Sequence, residues 1–256
     1  MGSLSVDRSG AAVWCTLDRP PLNLLEPDLI RSLRDTFDGL ARDPSVRVAI
    51  VTGRGRAFTA GMDVRVLRAL DVAGATALIS GLRAAIDAVH RAPFPVVACV
   101  NGPCLGAGFE LALACDLRVA ATDARFGLPE VRVGVPSVIH AALLPGLVGP
   151  TRAAEVLLTG DPITAEQALA WGLLNATAPA TRLREAVDAL VARILASGPA
   201  AIRLQKALMI RWRETDLETA VAYGVRAFAA AYATDEPREG MTAFLEKRAP
   251  KFRGVP

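Results

Sequence analysis

The chain has 256 residues, 52% of them hydrophobic and 21% charged, with a formal net charge of +3. That length suits one large domain, or a domain with an appendage, burying roughly three quarters of its unfolded surface. The apolar composition excludes a disordered chain, and a mild charge with its Lys and Arg spread out argues against a nucleic-acid binder.

Val13, Cys15 and Leu17 alternate with Trp14 and Thr16, which predicts a strand ended by Arg19-Pro20-Pro21. Leu29, Leu33, Phe37 and Leu40 recur at helical spacing behind Pro27, a first-turn proline. Val46 to Thr52 reads as a second strand, with Val46, Val48 and Ile50 on one face. Asp63 is placed to cap a helix running toward Leu70. A long helix follows over residues 75–91, with Leu78, Leu82, Ile86 and Val89 in one stripe.

The stretch from Pro95 to Asp116 organises the rest. A short apolar run predicts a buried strand, four breakers over residues 101–108 predict a turn, and an Ala/Leu-rich segment predicts a helix. Glu110 stands where that helix begins, among apolar neighbours. Residues 116–121 predict another strand, and helices are expected over 152–158 and 165–171. Beyond about Leu174 no strand signal remains, and helices are expected over 182–197, 199–212, 217–233 and 237–248. Alternating strands and helices predict an α/β body with mostly parallel strands over residues 1–195. A helical region over 196–256 follows it.

The four cysteines, Cys15, Cys99, Cys104 and Cys115, have spacings unlike a zinc site and read as reduced core residues of a cytoplasmic protein. No motif marks a metal site. No secretory signal, no membrane span and no myristoylation are expected; behind Met1-Gly2, Val6 stands where Ser or Thr is needed.

Three constellations could carry chemistry. The first is a dinucleotide fingerprint formed by Gly102, Gly106 and Gly108, but Leu111 occupies the place of its third glycine. The second is a carboxylate pair, Glu110 and Glu130, the latter stiffened by Pro129. Two positioned carboxylates can divide acid and base work; the residues alone leave open that they are unrelated surface glutamates. The third is a pair of turns, Ala60-Gly61 and Gly106-Ala107-Gly108, either ordinary turn glycines or donors of free N–H groups to an oxyanion. His90 falls near a helix C-terminus beside Arg91, where a cation suits the dipole, and His140 reads as a core or pocket-wall residue.

Taken together, these segments resemble the enoyl-CoA hydratase/isomerase (crotonase) superfamily. Phe58-Thr59-Ala60-Gly61-Met62-Asp63 resembles its first oxyanion segment and Asn101 to Ala112 its second. Phe126-Gly127-Leu128-Pro129-Glu130 resembles the segment of its second glutamate. Leu158 to Asp161, Ala168 and Gly172-Leu173 resemble the next block, and Thr234 to Arg248 the C-terminal signature of the hydratase branch. The departure lies after Glu130. A glycine-rich run followed by Thr-Gln-Arg is usual, whereas here Gly134 to Pro145 reads GVPSVIHAALLP and is one residue shorter before Gly149.

The resemblance implies a crotonase-like spiral of ββα units with a C-terminal helical trimerisation region. It implies an acyl-CoA thioester substrate, no cofactor beyond the coenzyme A of that substrate, and a homotrimer or dimer of trimers, with no nucleic acid or membrane as partner. Carried over by position, Glu110 acts as base toward water and Glu130 as acid toward carbon, with the N–H groups of Ala60 and Ala107 as oxyanion hole. Substrate contacts are implied for Gly61, Asp63, Gly106, Gly108, Pro136, His140 and Lys247. The expected reaction is addition of water to a 2-enoyl-CoA. An enoyl-CoA isomerase or another acyl-CoA lyase uses the same oxyanion hole, and a non-catalytic or RNA-binding homologue is the reading from another class.

Overall fold

A computed structural model describes residues 3–252; the Met1-Gly2 pair lies outside them. The chain begins with a hairpin of β1 (Ser3–Ser9) and β2 (Ala12–Asp18), the first strand not expected from the sequence. Next come α1 (Pro27–Ala41), β3 (Val48–Gly53), the short α2 (Val64–Arg68) and α3 (Val72–His90). The organising stretch forms β4 (Val96–Val100), β5 (Cys104–Leu105) and α4 (Ala107–Ala114). After it come β6 (Leu117–Ala121) and β7 (Arg125–Gly127), then two 3-10 turns, Pro129–Val133 and His140–Leu143. The chain continues through α5 (Leu144–Val148), α6 (Pro150–Thr159), β8 (Ile163–Thr164), α7 (Ala165–Ala170), β9 (Ala176–Ala178) and α8 (Leu183–Leu195). It closes with α9 (Pro199–Glu214), α10 (Leu217–Ala231) and α11 (Glu236–Leu245).

One sheet has the order β1-β2-β3-β4-β6-β9, antiparallel at the hairpin and parallel elsewhere. β9 corrects the expectation of no strand beyond Leu174: three residues carry no period, and only pairing with β6 makes them a strand. Every residue of β4 is buried, as a central parallel strand covered on both faces requires. β2 is less one-sided than its alternation suggested, since Trp14 is buried beneath the Arg184 guanidinium of α8, 4.2 Å from the ring centroid.

The α4 helix is apolar all round and wholly buried, except that one of its residues is Glu110. α3, 19 residues long, is apolar and long enough by composition to cross a bilayer, against the sequence expectation. It packs instead on α1 and α4 and carries an Arg83–Asp87 pair on its polar side. α9 is clamped to the body by a buried ion pair, in which Lys206 Nζ lies 2.8 Å from both Asp116 Oδ2 and the Phe94 carbonyl oxygen.

Candidate active site

Short pairings assemble the site. The Phe58 and Thr59 N–H groups donate to the Pro103 oxygen, and Leu105 N–H to the Thr59 oxygen, so the segment behind β3 runs beside the organising turn. β5 in turn pairs with β7, and Gly106 N–H donates to the Gly127 oxygen at 2.8 Å. Pro129 then turns the chain, and the Glu130 carboxylate arrives beside Gly106. A Cβ at residue 106 would stand 2.8 Å from Glu130 Oε1, and the φ of +56° there is glycine territory.

Both predicted carboxylates therefore reach one place. Glu110 is 2% exposed. Its Oε1 accepts from the Val138 and Ile139 N–H groups at 3.2 and 3.3 Å, and its Oε2 from His140 N–H at 3.3 Å. Burial pushes its carboxyl above the ordinary value, and the nearby Glu130 charge adds to this. The three N–H donors pull the other way. Glu130 is half-buried, and its Oε2 accepts from the Ser137 hydroxyl at 2.7 Å. Residues 137–140 thus hydrogen-bond both glutamates.

The backbone donors differ from expectation at one position. Ala60 N–H donates to the Leu22 oxygen at 3.0 Å and is spent inside the fold. That removes Ala60 from the oxyanion pair. Met62 N–H, two residues on, has no acceptor among the described residues, and neither has Ala107 N–H at the first turn of α4. The two segments touch, because a Cβ on Gly61 (φ +83°) would lie 3.4 Å from Ala107 N and 2.9 Å from the Leu105 oxygen.

The other predicted contacts divide. Gly61 and Gly106 line the meeting of the two segments. Gly108 instead packs on Thr59, whose methyl would lie 2.5 Å from an added Cβ. Asp63 caps α2 by accepting from Arg65 N–H at 2.8 Å, and both its oxygens take the Arg65 guanidinium, so its carboxylate is occupied by its own helix. Pro136 is exposed in the segment just before Ser137. His140 contributes its N–H to Glu110, while its ring turns to α3, where Nε2 lies 3.3 Å from Asp87 Oδ1. No hydrogen bond or ion pair links Lys247, just past α11, to either glutamate. His90 does end α3 beside Arg91, but it is not held as the cation that the helix dipole favours. It is buried, and desolvation lowers its pKa although the Ala114 oxygen lies 3.0 Å from Nδ1. The four cysteines are free and buried.

A model of the enoyl-CoA hydratase/isomerase family matches residues 7–255. The chain belongs to that family. It is 38% identical to the crotonyl-CoA hydratase of Syntrophomonas wolfei, over 92% of each chain. It is 35% identical to the 2,3-dehydroadipyl-CoA hydratase of Escherichia coli, over 99% of this chain and all of the relative. The crystal structure of an enoyl-CoA hydratase from Bacillus anthracis superposes with a TM-score of 0.94 at 32% identity, covering 99% of this chain and 100% of the other. Within this hydratase/isomerase fold, sequence reasoning missed Met62, Ser137 and Asp87. Ser137 had a signal, as a lone hydroxyl in the apolar run that departs from the family pattern; Met62 lies within the segment that resembles the first oxyanion segment, with nothing to set it apart from Ala60, and Asp87 had no signal.

Proposed function

We propose that this chain is an enoyl-CoA hydratase that adds water across a 2-enoyl-CoA thioester to give a 3-hydroxyacyl-CoA. One observation carries the reading. Two carboxylates in unlike surroundings share one supporting segment beside two unspent backbone N–H groups. Attack of water on C3 pushes an electron pair through the double bond onto the thioester oxygen. The Met62 and Ala107 N–H groups are the donors for that oxygen, and losing one such donor typically costs about 10²–10³ in rate. Glu110, its pKa raised toward working pH, takes the proton from water. Glu130 delivers a proton to C2. Family membership at 35–38% identity to hydratases over nearly the whole chain supports the same reaction.

The C-terminal helices carry exposed apolar side chains, Phe244 at 83% and Phe228 at 68% among them. A groove of about 860 Å³ opens beside Trp212, Leu217, Val221 and Phe228. We take this face to be covered by further copies in a trimer or dimer of trimers. Lys247, which has no ion-pair partner among the described residues, would then meet the coenzyme A phosphates of a neighbouring site. The free thiols suit a cytoplasmic enzyme, and no cofactor is required beyond the coenzyme A of the substrate.

The test is loss of conjugated enoyl absorbance when the enzyme meets crotonyl-CoA. Glu110→Gln and Glu130→Gln should each lower the rate about 10²–10⁴-fold with unchanged circular dichroism. Full activity in either variant would remove the assignment.

A further inference from the structure

Residues 137–140 have an unusual burden. They support both carboxylates, yet Ser137 to Ile139 belong to no helix or strand, and the valines at 133, 135 and 138 are exposed. A turn built this way opens easily unless something else anchors it.

The anchor is the His140 side chain. It is buried, and its Nε2 meets Asp87 Oδ1 at 3.3 Å on α3. The His90 ring, one helical turn on from Asp87, packs edge-on against it with centroids 5.4 Å apart. His90 in turn holds the Ala114 oxygen at the end of α4, the helix of Glu110. The contacts close a ring: Glu110 to the 138–140 N–H groups, His140 to Asp87 and His90 on α3, and back to α4. With the proton on Nε2, the 3.3 Å approach to Asp87 Oδ1 is a polar contact, and Nδ1 is left as a buried acceptor with no partner among the described residues. An apolar ring of the same shape would carry no such cost, so the polar contact with Asp87 is what the histidine adds.

We propose that Asp87 and His140 are positioning residues: their contact fixes the turn that aims Glu110 and Glu130, although neither side chain touches substrate. The role in turnover rests on the hydratase reading; the role in holding Glu110 does not. The charged and titratable groups facing His140 are Asp87, Arg83, His90 and Arg91, all on or just after α3, and Glu130 is the charge facing Glu110. Asp87 also takes Arg83 Nε at 3.3 Å on its other oxygen, and that second contact is exposed.

Asp87→Ala removes the acceptor at a helix position that tolerates alanine. Its kcat on crotonyl-CoA should fall about 10-fold, less than the roughly 10²-fold that a 1 Å misplacement of a reacting group can cost, with KM little changed. The acid limb of its kcat/KM profile should move to higher pH, because a loosened turn withdraws donors from the charged form of Glu110. Asp87→Asn, which keeps an acceptor oxygen, should recover most of the loss. Asp87→Ala combined with His140→Phe should be no slower than the worse single variant. Infrared difference titration of Glu110, assigned with Glu110→Gln, should show the same upward shift and needs no turnover. If the wild-type protein leaves crotonyl-CoA untouched while that shift persists, the hydratase reading fails and the positioning role stands. If folded Asp87→Ala keeps both its kcat and its Glu110 midpoint, or the single losses add in the double variant, the proposal is overturned.

Discussion

At residue 106 backbone conformation and chemistry meet in one atom's worth of space. Gly106 has φ +56° and ψ −131°, a region that L side chains avoid, and an added methyl would press on Glu130 Oε1. Gly106→Ala should therefore lose about 1–3 kcal/mol of stability in urea melts from backbone strain. Its hydration rate should fall by more than that loss of folding explains, on the order of 10²-fold, because the carboxylate is displaced from its aim. A variant that melts lower yet keeps full kcat would separate the glycine from the chemistry. The difference at Ala60 belongs to the same scale. Small residues at 60 and 61 signal a turn with free donors, but which donor is free depends on Leu22, whose oxygen takes the Ala60 N–H. No spacing in the chain reveals that contact.

The elements that the sequence makes legible are those with room for a period. The stripe of α1, the stripe of α3 and the strand–turn–helix at β4 and α4 were all readable. β5, β7, β8 and β9 have two or three residues each, too few for alternation, and exist as strands only through their partners. Two of them, β5 and β7, nevertheless place Glu130 beside Gly106, so the two carboxylates are legible in the sequence and their meeting is not. The junction of α3, α4 and the 3-10 turn at His140 also sets an acid sensitivity. Burial holds His140 down to about 4 from an ordinary 6.5, and His90 is lowered as well. Between those pH values the unfolded chain takes up protons that the folded chain refuses, so stability falls as pH drops from about 6.5 and levels off near about 4 for His140. Glu110 has the opposite sign, since its raised pKa lets the folded form bind its proton first, and it offsets part of the loss. Urea midpoints should decline across this window, and His140→Phe should flatten the decline.

For the whole molecule, the exposed apolar face of α10 and α11 is the feature most in need of a partner. Phe228, Tyr232, Phe244 and Leu245 are all more than half exposed in a single chain, a patch of the kind that marks association. Sedimentation should find a trimer or hexamer, and Phe228→Asp with Phe244→Asp should shift it toward monomer. A wild-type monomer at micromolar concentration would contradict the assembly. That face belongs to the same helical region that supplies Lys206, and Lys206 does not stay at the surface. It is 3% exposed and ends against Asp116, whose carboxylate also receives the Val96 N–H at the root of β4. The C-terminal helices therefore cannot be exchanged between relatives as a cassette. A graft that brings no ammonium to this position strands the Asp116 carboxylate beneath it, at the base of the strand that leads into the turn before Glu110.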